Sequence, residues 1–500
     1  MSSELVPSPD DLFRAARYTE CLSATEGDDS HEAHLLRARV YLQMDRAEDA
    51  LTELSGISAL EGDLAATAGA LRCRALNMLR SWDATDAWLS TAASSCGALS
   101  AVGRSEIAIA RGFVAMHRGR TDAIYEAAEM IEVDAGPWYA SWKLHLIAWA
   151  AASHDDYVEH GRRLEQLARF MLENPAALDV MLLARCAGGL AFVAREMFSI
   201  PRFEFAVRLE EQIPWTRETR EFRFQVKRAL AWAHALHGSA RTAHRLIFEL
   251  IDQVPSPGWR PLLYSDQAHF VRATGCDEIL EPLLERAIEY SKEISWDSEG
   301  EERAGLLSLI VVATGSNVAA ARSLMTIYDS ITTKLSQKLA IAHNRHLRAA
   351  EDHARGTVLV GEGNEREGGH LLKEAYDANV RFGFSWRPAF IALQLHMLTR
   401  DDAWLRIAEE AIAEFPESAI GREIRRRARG SADPRLASLS PAQRRVFELI
   451  CHGKSNKEIA SALKISVNTA RNHVAAVLTR FGVQSRAQLA AVARESGLLT

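Results

Sequence analysis

A chain of 500 residues is too long for one hydrophobic core, because cores stop growing at about 250–300 residues, so several domains or a stacked array are expected. With 48% hydrophobic residues, 25% charged residues and only 14 prolines, the composition excludes long disordered tracts. The net charge of −7 is unevenly distributed. Residues 421–500 carry 15 Lys and Arg against 5 Asp and Glu, a net charge of +10, so the rest of the chain has a net charge of −17.

An acidic body with a basic tail is typical of a protein in which only the tail contacts a polyanion. The first residues, MSSELVPSPDDLFRAARY, lack the basic start and apolar stretch of a signal peptide. No run of eighteen uninterrupted apolar residues occurs, and Leu306–Thr314 is too short to span a bilayer. The cysteines form no Cys-x-x-Cys pair and lie at Cys21, Cys73, Cys96, Cys186, Cys276 and Cys451. We therefore expect buried thiols in a cytoplasmic protein with no membrane contact.

Residues 31–57 show two helical patterns joined by a polar turn at Met44–Arg46, with the small residues Ala38 and Ala50 on the two helices. The arrangement recurs downstream with spacings of 36 or 37 residues between Ala50, Ala87 and Ala123 and between Ala206 and Ala243. A period in the thirties with a small residue on each helix resembles tetratricopeptide repeats in a degenerate form. Since one pair cannot bury its apolar face alone, residues 1–420 are predicted to form an α-solenoid of nine or ten pairs.

Three features of this array are candidate ligand, metal or phosphate sites. Trp138, Trp142 and Trp149 share one helical face, which favours core packing and leaves a groove for a ligand or peptide as the alternative. His343, His346 and His353 also share a face, which favours a solvated helix without a ligand and leaves a metal site, completed by a carboxylate, as the alternative. The glycine-rich stretch 361–369 lacks the lysine of a phosphate-binding loop. No metal, cofactor or catalytic arrangement is therefore expected, and the protein is predicted not to be an enzyme.

The tail contains clear helix boundaries. Serine caps are predicted at Ser440, Ser455, Ser466 and Ser485, three of them followed by Gln or Glu three residues later as in a capping box. The first helix is expected to end at Gly453. Residues 437–500 are thus predicted to form a four-helix domain, so that the whole chain is all-α.

The helix after Ser466 indicates the function. Its predicted buried stripe consists of Ala470, Val474, Val477, Leu478 and Phe481. The opposite face presents Asn468, Arg471, Asn472 and Ala475. Because Arg can pair with guanine, Asn with adenine and Ala with a thymine methyl group, this face is suited to reading the DNA major groove. The helix start, with Thr469 in its first turn, can receive a phosphate.

At these residues the tail resembles the LuxR-type (GerE-like) helix-turn-helix family. The matching elements, in order, are Leu439-Ser440-Pro441, Gly453-x-Ser455-Asn456-Lys457-Glu458-Ile459-Ala460, Ser466-x-x-Thr469, His473, Leu478-x-x-Phe481-x-Val483 and Ser485-Arg486. The resemblance covers about 65 of the 500 residues. It implies double-stranded DNA as partner, with base contacts from Arg471 and Asn472 and phosphate contacts from Lys457 and Thr469.

We place Asn468 and Ala475 with the base-contacting group, and Ser455 and Lys454 with the phosphate-contacting group. The chain departs from the family pattern at Gln443, Arg445, Ala470 and Ala475, and the missing basic residue at Ala475 weakens the expected groove contact. The family also implies dimers on two half-sites, paired through the last helix, Arg486–Ser496.

The sequence therefore predicts a regulator with three parts: a solenoid at 1–420, an Arg-rich linker at 421–436 and the DNA-binding domain at 437–500. A protein, peptide or small-molecule effector on the solenoid is expected, and RNA polymerase is a further candidate partner. The linker residues GREIRRRARG (421–430) are either a solvated connection or an additional phosphate contact. The alternative function is a repeat scaffold that acts through protein–protein interaction and carries a vestigial DNA-binding domain.

Overall fold

The structure is a computed structural model that describes residues 7–57, 60–96, 98–214, 216–254, 259–274, 280–292, 300–315, 317–338, 345–418, 421–422, 424–425, 434–437 and 439–495. Within these ranges every regular element is a helix, which confirms the predicted all-α class. None of the described helices is long and apolar enough to cross a membrane. The chain divides into two compact units, residues 1–388 and 389–500.

The first unit contains ten consecutive helix pairs. Their bounds are α1 Pro9–Arg14, α2 Tyr18–Ala24, α3 His31–Gln43, α4 Ala47–Ser55, α5 Gly62–Met78, α6 Trp82–Ser95, α7 Ala101–His117, α8 Thr121–Glu129, α9 Pro137–Ser153, α10 Tyr157–Glu173, α11 Val180–Met197, α12 Ile200–Glu210, α13 Arg220–Leu236, α14 Ala240–Ile251, α15 Arg260–Thr274, α16 Leu280–Ser291, α17 Gly300–Thr314, α18 Val318–Lys338, α19 Arg345–Gly361 and α20 Glu365–Arg381. Short 3-10 turns occur at Val133–Ala135 and Pro175–Ala177.

The helices of the first unit stack as a repeat array. The first helix of each pair packs on the second, as α5 packs on α6, and in most pairs it also packs on the first helix of the next pair, as α5 packs on α7 and α11 on α13. Each pair therefore buries its apolar face against its neighbours, which is the stacking expected of a solenoid. The predicted array of helix pairs is confirmed.

One turn geometry joins the two helices in most of these pairs. In these turns the residue two positions before the second helix has a positive φ angle. The amide of the following residue donates a hydrogen bond to the carbonyl five residues earlier in the chain, as from Arg46 to Tyr41 (2.9 Å) and from Ser239 to His234 (2.8 Å). This left-handed position closes the preceding helix and reverses the chain. It is occupied in turn by Asp45, Arg80, Gly119, Asp155, Phe198, Gly238 and Gly363. The turn predicted at Met44–Arg46 is one of them.

The small residues used to predict the period do not all pack between helices. Ala50 and Ala243 are fully buried, and Ala206 is 1% exposed. Ala87 is exposed on α6, so its predicted packing role is wrong. The buried face of α6 instead contains Thr85 and, two turns later, Ala92, because the helix is rotated away from the expected orientation.

Helices far apart in sequence meet inside the first unit. Arg185 on α11 donates a 3.4 Å hydrogen bond to Gln43 on α3. Further along the array, the ring of Tyr157 lies 5.0 Å from that of Phe384. The first unit therefore winds so that its early helices face later ones, which brings distant side chains together.

The second unit holds the tail. Its helices are α21 Trp386–Thr399, which begins just before the division between the units, α22 Asp402–Ala411, α23 Pro434–Ala437, α24 Pro441–Cys451, α25 Asn456–Leu463, α26 Val467–Phe481 and α27 Arg486–Glu495. The last four helices share one core, whose buried residues are Leu439, Val446, Phe447, Ile450, Ile459, Ala460, Ala470, Val474, Val477, Phe481, Leu489 and Ala493. Most of the predicted Arg-rich linker lies outside the described residues, although Arg425 forms a 3.0 Å ion pair with Glu417.

Candidate nucleic-acid interface

The helix starts of the tail are set by local hydrogen bonds. At α24 the Ser440 hydroxyl accepts from the Gln443 amide at 3.3 Å, and the Gln443 side chain accepts from the Ser440 amide at 3.0 Å. Ser455 and Glu458 form the same reciprocal pair at α25, at 3.3 and 2.7 Å. These bonds satisfy amides that would otherwise be unpaired in the first turn. Both predicted capping boxes are confirmed.

The capping box predicted at Ser485 forms only in part. The Ser485 hydroxyl accepts from the Gln488 amide at 3.1 Å, as expected. The Gln488 side chain, however, accepts from the amide of Gln484 at 2.9 Å and not from that of Ser485. The side chain thus extends one residue further back, and the helix start at Arg486 is preserved.

A tight turn connects α25 to α26. Lys464 adopts a left-handed conformation with φ of 54° and ends α25. Two residues later the Ser466 hydroxyl accepts from the Thr469 amide at 3.0 Å and starts α26. The turn joins the end of α25 to the start of α26, so that the N-termini of both helices, with their partial positive charge, lie in one compact domain.

The predicted buried stripe of α26 is confirmed. Ala470, Val474, Val477 and Phe481 are between 0% and 6% exposed, and Leu478 is partly buried against the same core. The ring of Phe481 stacks on that of Phe447 from α24 at 4.9 Å between centroids. This contact fixes the rotation of α26 about its axis, so that its opposite face points away from the core.

The opposite face carries the predicted base-contacting residues. Asn468, Arg471, Asn472 and Ala475 are all exposed. Neither Arg471 nor Asn472 forms a hydrogen bond or ion pair with any residue that the structure describes. Because they lie at adjacent positions near the start of an exposed helix, both side chains can reach base edges without first breaking an internal contact.

The predicted phosphate-contacting residues flank this face at the helix starts, and Lys454, Ser455, Lys457 and Thr469 are exposed. Lys454 lies 3.5 Å from Glu458, so part of its charge is neutralised within the protein. Lys457 has no such partner among the described residues. Lys457 therefore keeps more of its charge available to an external partner than Lys454 does.

Arg486 has a positioning role that the spacing of residues in the sequence does not predict. Its guanidinium donates to the main-chain carbonyl of Lys454 and to the side-chain oxygen of Asn456, the first residue of α25. The last helix thereby holds the segment that carries the lysines. The only signal in the sequence was the Ser485-Arg486 match to the family pattern, which assigned no role to the arginine.

The other features weighed in the array have structural explanations. His343 lies outside the described residues, and no cluster of potential metal ligands occurs among those described. His346 packs against the rings of Phe192 and Phe384. The glycine-rich stretch comprises the end of α19, the turn in which Gly363 has φ of 89°, and the first residues of α20.

Residues 437–493 match the family described as bacterial regulatory proteins, luxR family. The spore germination protein GerE of Bacillus subtilis is 46% identical over 50 residues, which cover 10% of this chain and 68% of GerE. A protein of Mycobacterium tuberculosis named as an HTH-type transcriptional regulator, Rv0890c, is 38% identical over 154 residues. That match covers 28% of this chain and 17% of Rv0890c, so the chain spans only a small part of this relative.

Among solved structures, the pentatricopeptide repeat protein PPR10 from maize aligns with 98% of this chain and 82% of its own. The sequence identity is 12% and the TM-score 0.25, which is too low to support any argument about fold or function.

Proposed function

Because the chain belongs to the luxR family of bacterial regulatory proteins, we propose that it is a transcription regulator that binds specific sequences of double-stranded DNA. The observation that supports this most is the exposed face of α26, on which Arg471 and Asn472 have no partner among the described residues. A long, charged side chain on a rigid helix, with no partner inside the protein, is suited to bind a partner outside it.

In this proposal α26 enters the major groove. Arg471 pairs with guanine and Asn472 with adenine, while Asn468 and Ala475 contact neighbouring bases. Lys457 and Thr469 bind phosphates on either side, together with Ser455 and Lys454, and so set the position of α26 on the duplex. The net charge of +10 over residues 421–500 supplies the long-range attraction.

We place the solenoid at residues 1–420, the linker at 421–436 and the DNA-binding domain at 437–500. On DNA the protein forms a dimer through α27, whose exposed residues include Ala487, Gln488 and Ala491. A two-fold pair of domains then requires two half-sites. An effector on the solenoid controls DNA binding, and RNA polymerase is the proposed partner at the promoter.

A salt titration of the full chain on a selected duplex and on a scrambled duplex tests the proposal. Specific binding predicts tighter binding to the selected duplex at every salt concentration and a steep loss of affinity as salt rises, because phosphate contacts release counterions. Equal, weak binding to both duplexes would favour the alternative, a repeat scaffold that acts through protein contacts.

A further inference from the structure

Side chains from five successive helix pairs converge on one region inside the first unit. Arg39 on α3 lies over the ring of Trp138 on α9, at 5.4 Å. Arg74 on α5 lies over the ring of Phe113 on α7 at 4.1 Å and near that of Trp142 at 5.9 Å. The array therefore has an inner surface where arginines alternate with aromatic rings.

Arg74 is a cation without a counter-ion on this surface. It forms no hydrogen bond or ion pair with any described residue, although it is largely buried. Burial, together with the charges of Arg185 and Arg39, lowers the pKa of Arg74 to about 10, while Glu106 acts in the opposite direction. A guanidinium in such surroundings ordinarily has an anionic partner, since leaving it unpaired is costly.

The two carboxyl groups whose charges act most on Arg74, Glu106 and Asp179, are engaged elsewhere. Glu106 accepts from Arg39 and, at 2.8 Å, from the hydroxyl of Tyr139. Asp179 accepts from the Trp138 indole at 3.2 Å and caps α11 through the Leu182 amide at 3.1 Å. Neither is within ion-pair distance of Arg74, which leaves this cation without an anionic partner among the residues that the structure describes.

Buried polar atoms next to Arg74 also lack partners. Asn77 follows one turn later on the same face of α5, is 3% exposed, and has no partner for its side-chain oxygen. The Trp142 indole nitrogen and both ring nitrogens of His145 are likewise unpartnered, with each residue 1% exposed. Nearly all buried polar groups in proteins have a partner, so these four atoms give the region beside Arg74 unmet hydrogen-bonding capacity.

We propose that this inner surface binds a small carboxylate with an aromatic body, whose carboxylate pairs with Arg74 and whose ring packs among Phe113, Trp138 and Trp142. Arg39 pairs with Glu106, and the carboxyl groups of Asp179 and Asp45 lie near enough to Arg185 to interact with its charge. Arg74 is therefore the guanidinium left for an external anion, and among the described residues the surface has no second free charge for a phosphate dianion. A singly charged carboxylate matches the one unpaired guanidinium, and the rings match an aromatic body.

This ligand is the effector of the proposed function, and that role depends on the proposed function being correct. The binding site itself does not depend on it. Trp149, which is 40% exposed and adjoins His145 at 6.4 Å between ring centroids, marks the solvent-facing end of the same helix face. The alternative considered for the three tryptophans, a ligand groove, is thus the one developed here.

Isothermal titration of the full chain with benzoate and with benzamide tests the site. The two probes share a ring and nearly the same shape, and only benzoate carries the charge that Arg74 would pair with. We expect benzoate to bind about tenfold more tightly than benzamide, the equivalent of about 1.4 kcal/mol. Arg74→Gln should remove this preference, whereas Arg241→Gln, at an exposed position on α14, should keep it.

Arg185→Gln is the second variant in case Arg74→Gln fails to fold, and it should weaken benzoate binding because it removes a second positive charge from the same surface. Equal affinity of the wild-type protein for benzoate and benzamide would overturn the proposal, as would a preference that survives both substitutions. Tighter binding of inorganic phosphate than of benzoate would overturn the assigned ligand class. DNA binding measured on the same samples separates these results from a failure of the proposed function.

Discussion

Arg486 at the start of α27 and Lys454 before α25 are joined by a hydrogen bond from the guanidinium to the main-chain carbonyl, 32 residues apart in sequence. The same guanidinium contacts the side chain of Asn456. The last helix of the domain therefore positions the segment that is proposed to bind the DNA backbone. Arg486 does not belong to the exposed face of α26, but it fixes the start of the neighbouring helix α25.

Replacing Arg486 with alanine should lower both stability and DNA affinity. Hydrogen bonds from a charged group contribute about 1.5–3 kcal/mol each, so a loss of about 2 kcal/mol in unfolding free energy is expected in denaturant titrations. Affinity for selected and scrambled duplexes should fall by the same factor. Arg480→Ala removes an equal charge from an exposed position and should leave stability unchanged. Equal effects of the two substitutions would show that Arg486 contributes only charge.

Lys457 should contribute to affinity but not to sequence preference. Lys457→Ala is expected to reduce the slope of log affinity against log salt by about one, because one phosphate contact is lost. The ratio of affinities for selected and scrambled duplexes should stay constant. Arg445→Ala, at an exposed position on α24, serves as the charge-matched control. A change in sequence preference for Lys457→Ala would contradict the assignment of this lysine to the backbone.

Glu196 should be essential to the stability of the first unit. It is fully buried, and its carboxylate accepts from the Trp386 indole at 2.9 Å and from Arg387 at 2.8 Å. Glu196→Ala leaves buried charges uncompensated and should cost about 3–5 kcal/mol in unfolding free energy. The exposed Glu204, which only approaches Arg208 at 4.0 Å, provides the control as Glu204→Ala. A loss under 1 kcal/mol for Glu196→Ala would contradict this account.

Stability should fall as the pH decreases below about 6.5. Burial among aromatic rings, followed by the charge of Arg387, lowers the pKa of His346 to about 3. The unfolded chain binds a proton at this residue from about pH 6.5 downwards, whereas the folded chain does not until about pH 3. The unfolded state is therefore favoured across this window, by up to about 1.4 kcal/mol per pH unit.

His346→Phe retains an aromatic ring and removes the titration. Its unfolding free energy, measured at pH 7 and pH 5, should change less with pH than that of the wild type. His370→Gln, at an exposed position on α20, should keep the wild-type dependence. If His346→Phe showed the wild-type dependence, another group would have to account for it.

The helix boundaries of the tail could be predicted because they depend on contacts between neighbours in sequence. The Ser455 hydroxyl and the Glu458 side chain are three residues apart, and the stripe that ends at Phe481 follows helical periodicity. The same proximity explains why the capping box predicted at Ser485 forms only in part, since Gln488 could bond to either of two adjacent amides.

The inner surface of the array could not be predicted in the same way. Arg74, Trp142 and Arg185 meet because of how successive pairs wind, and each small rotation between pairs accumulates along the array. The turn that repeats through the first unit could not be predicted from the sequence, for a different reason. Its left-handed position is a backbone feature, and it is filled by residues as different as Asp45, Gly119 and Phe198.

Selection of bound sequences from a random duplex pool, with the full wild-type chain and with its Arg471→Ala and Asn472→Ala variants, tests the central claim most directly. We expect the wild type to enrich a defined motif, and each variant to lose preference at one base position, at a cost of about 1–3 kcal/mol, while its melting temperature is unchanged. The same motif enriched equally by all three proteins, or no motif with the wild type, would contradict the assignment of α26 as the helix that reads DNA.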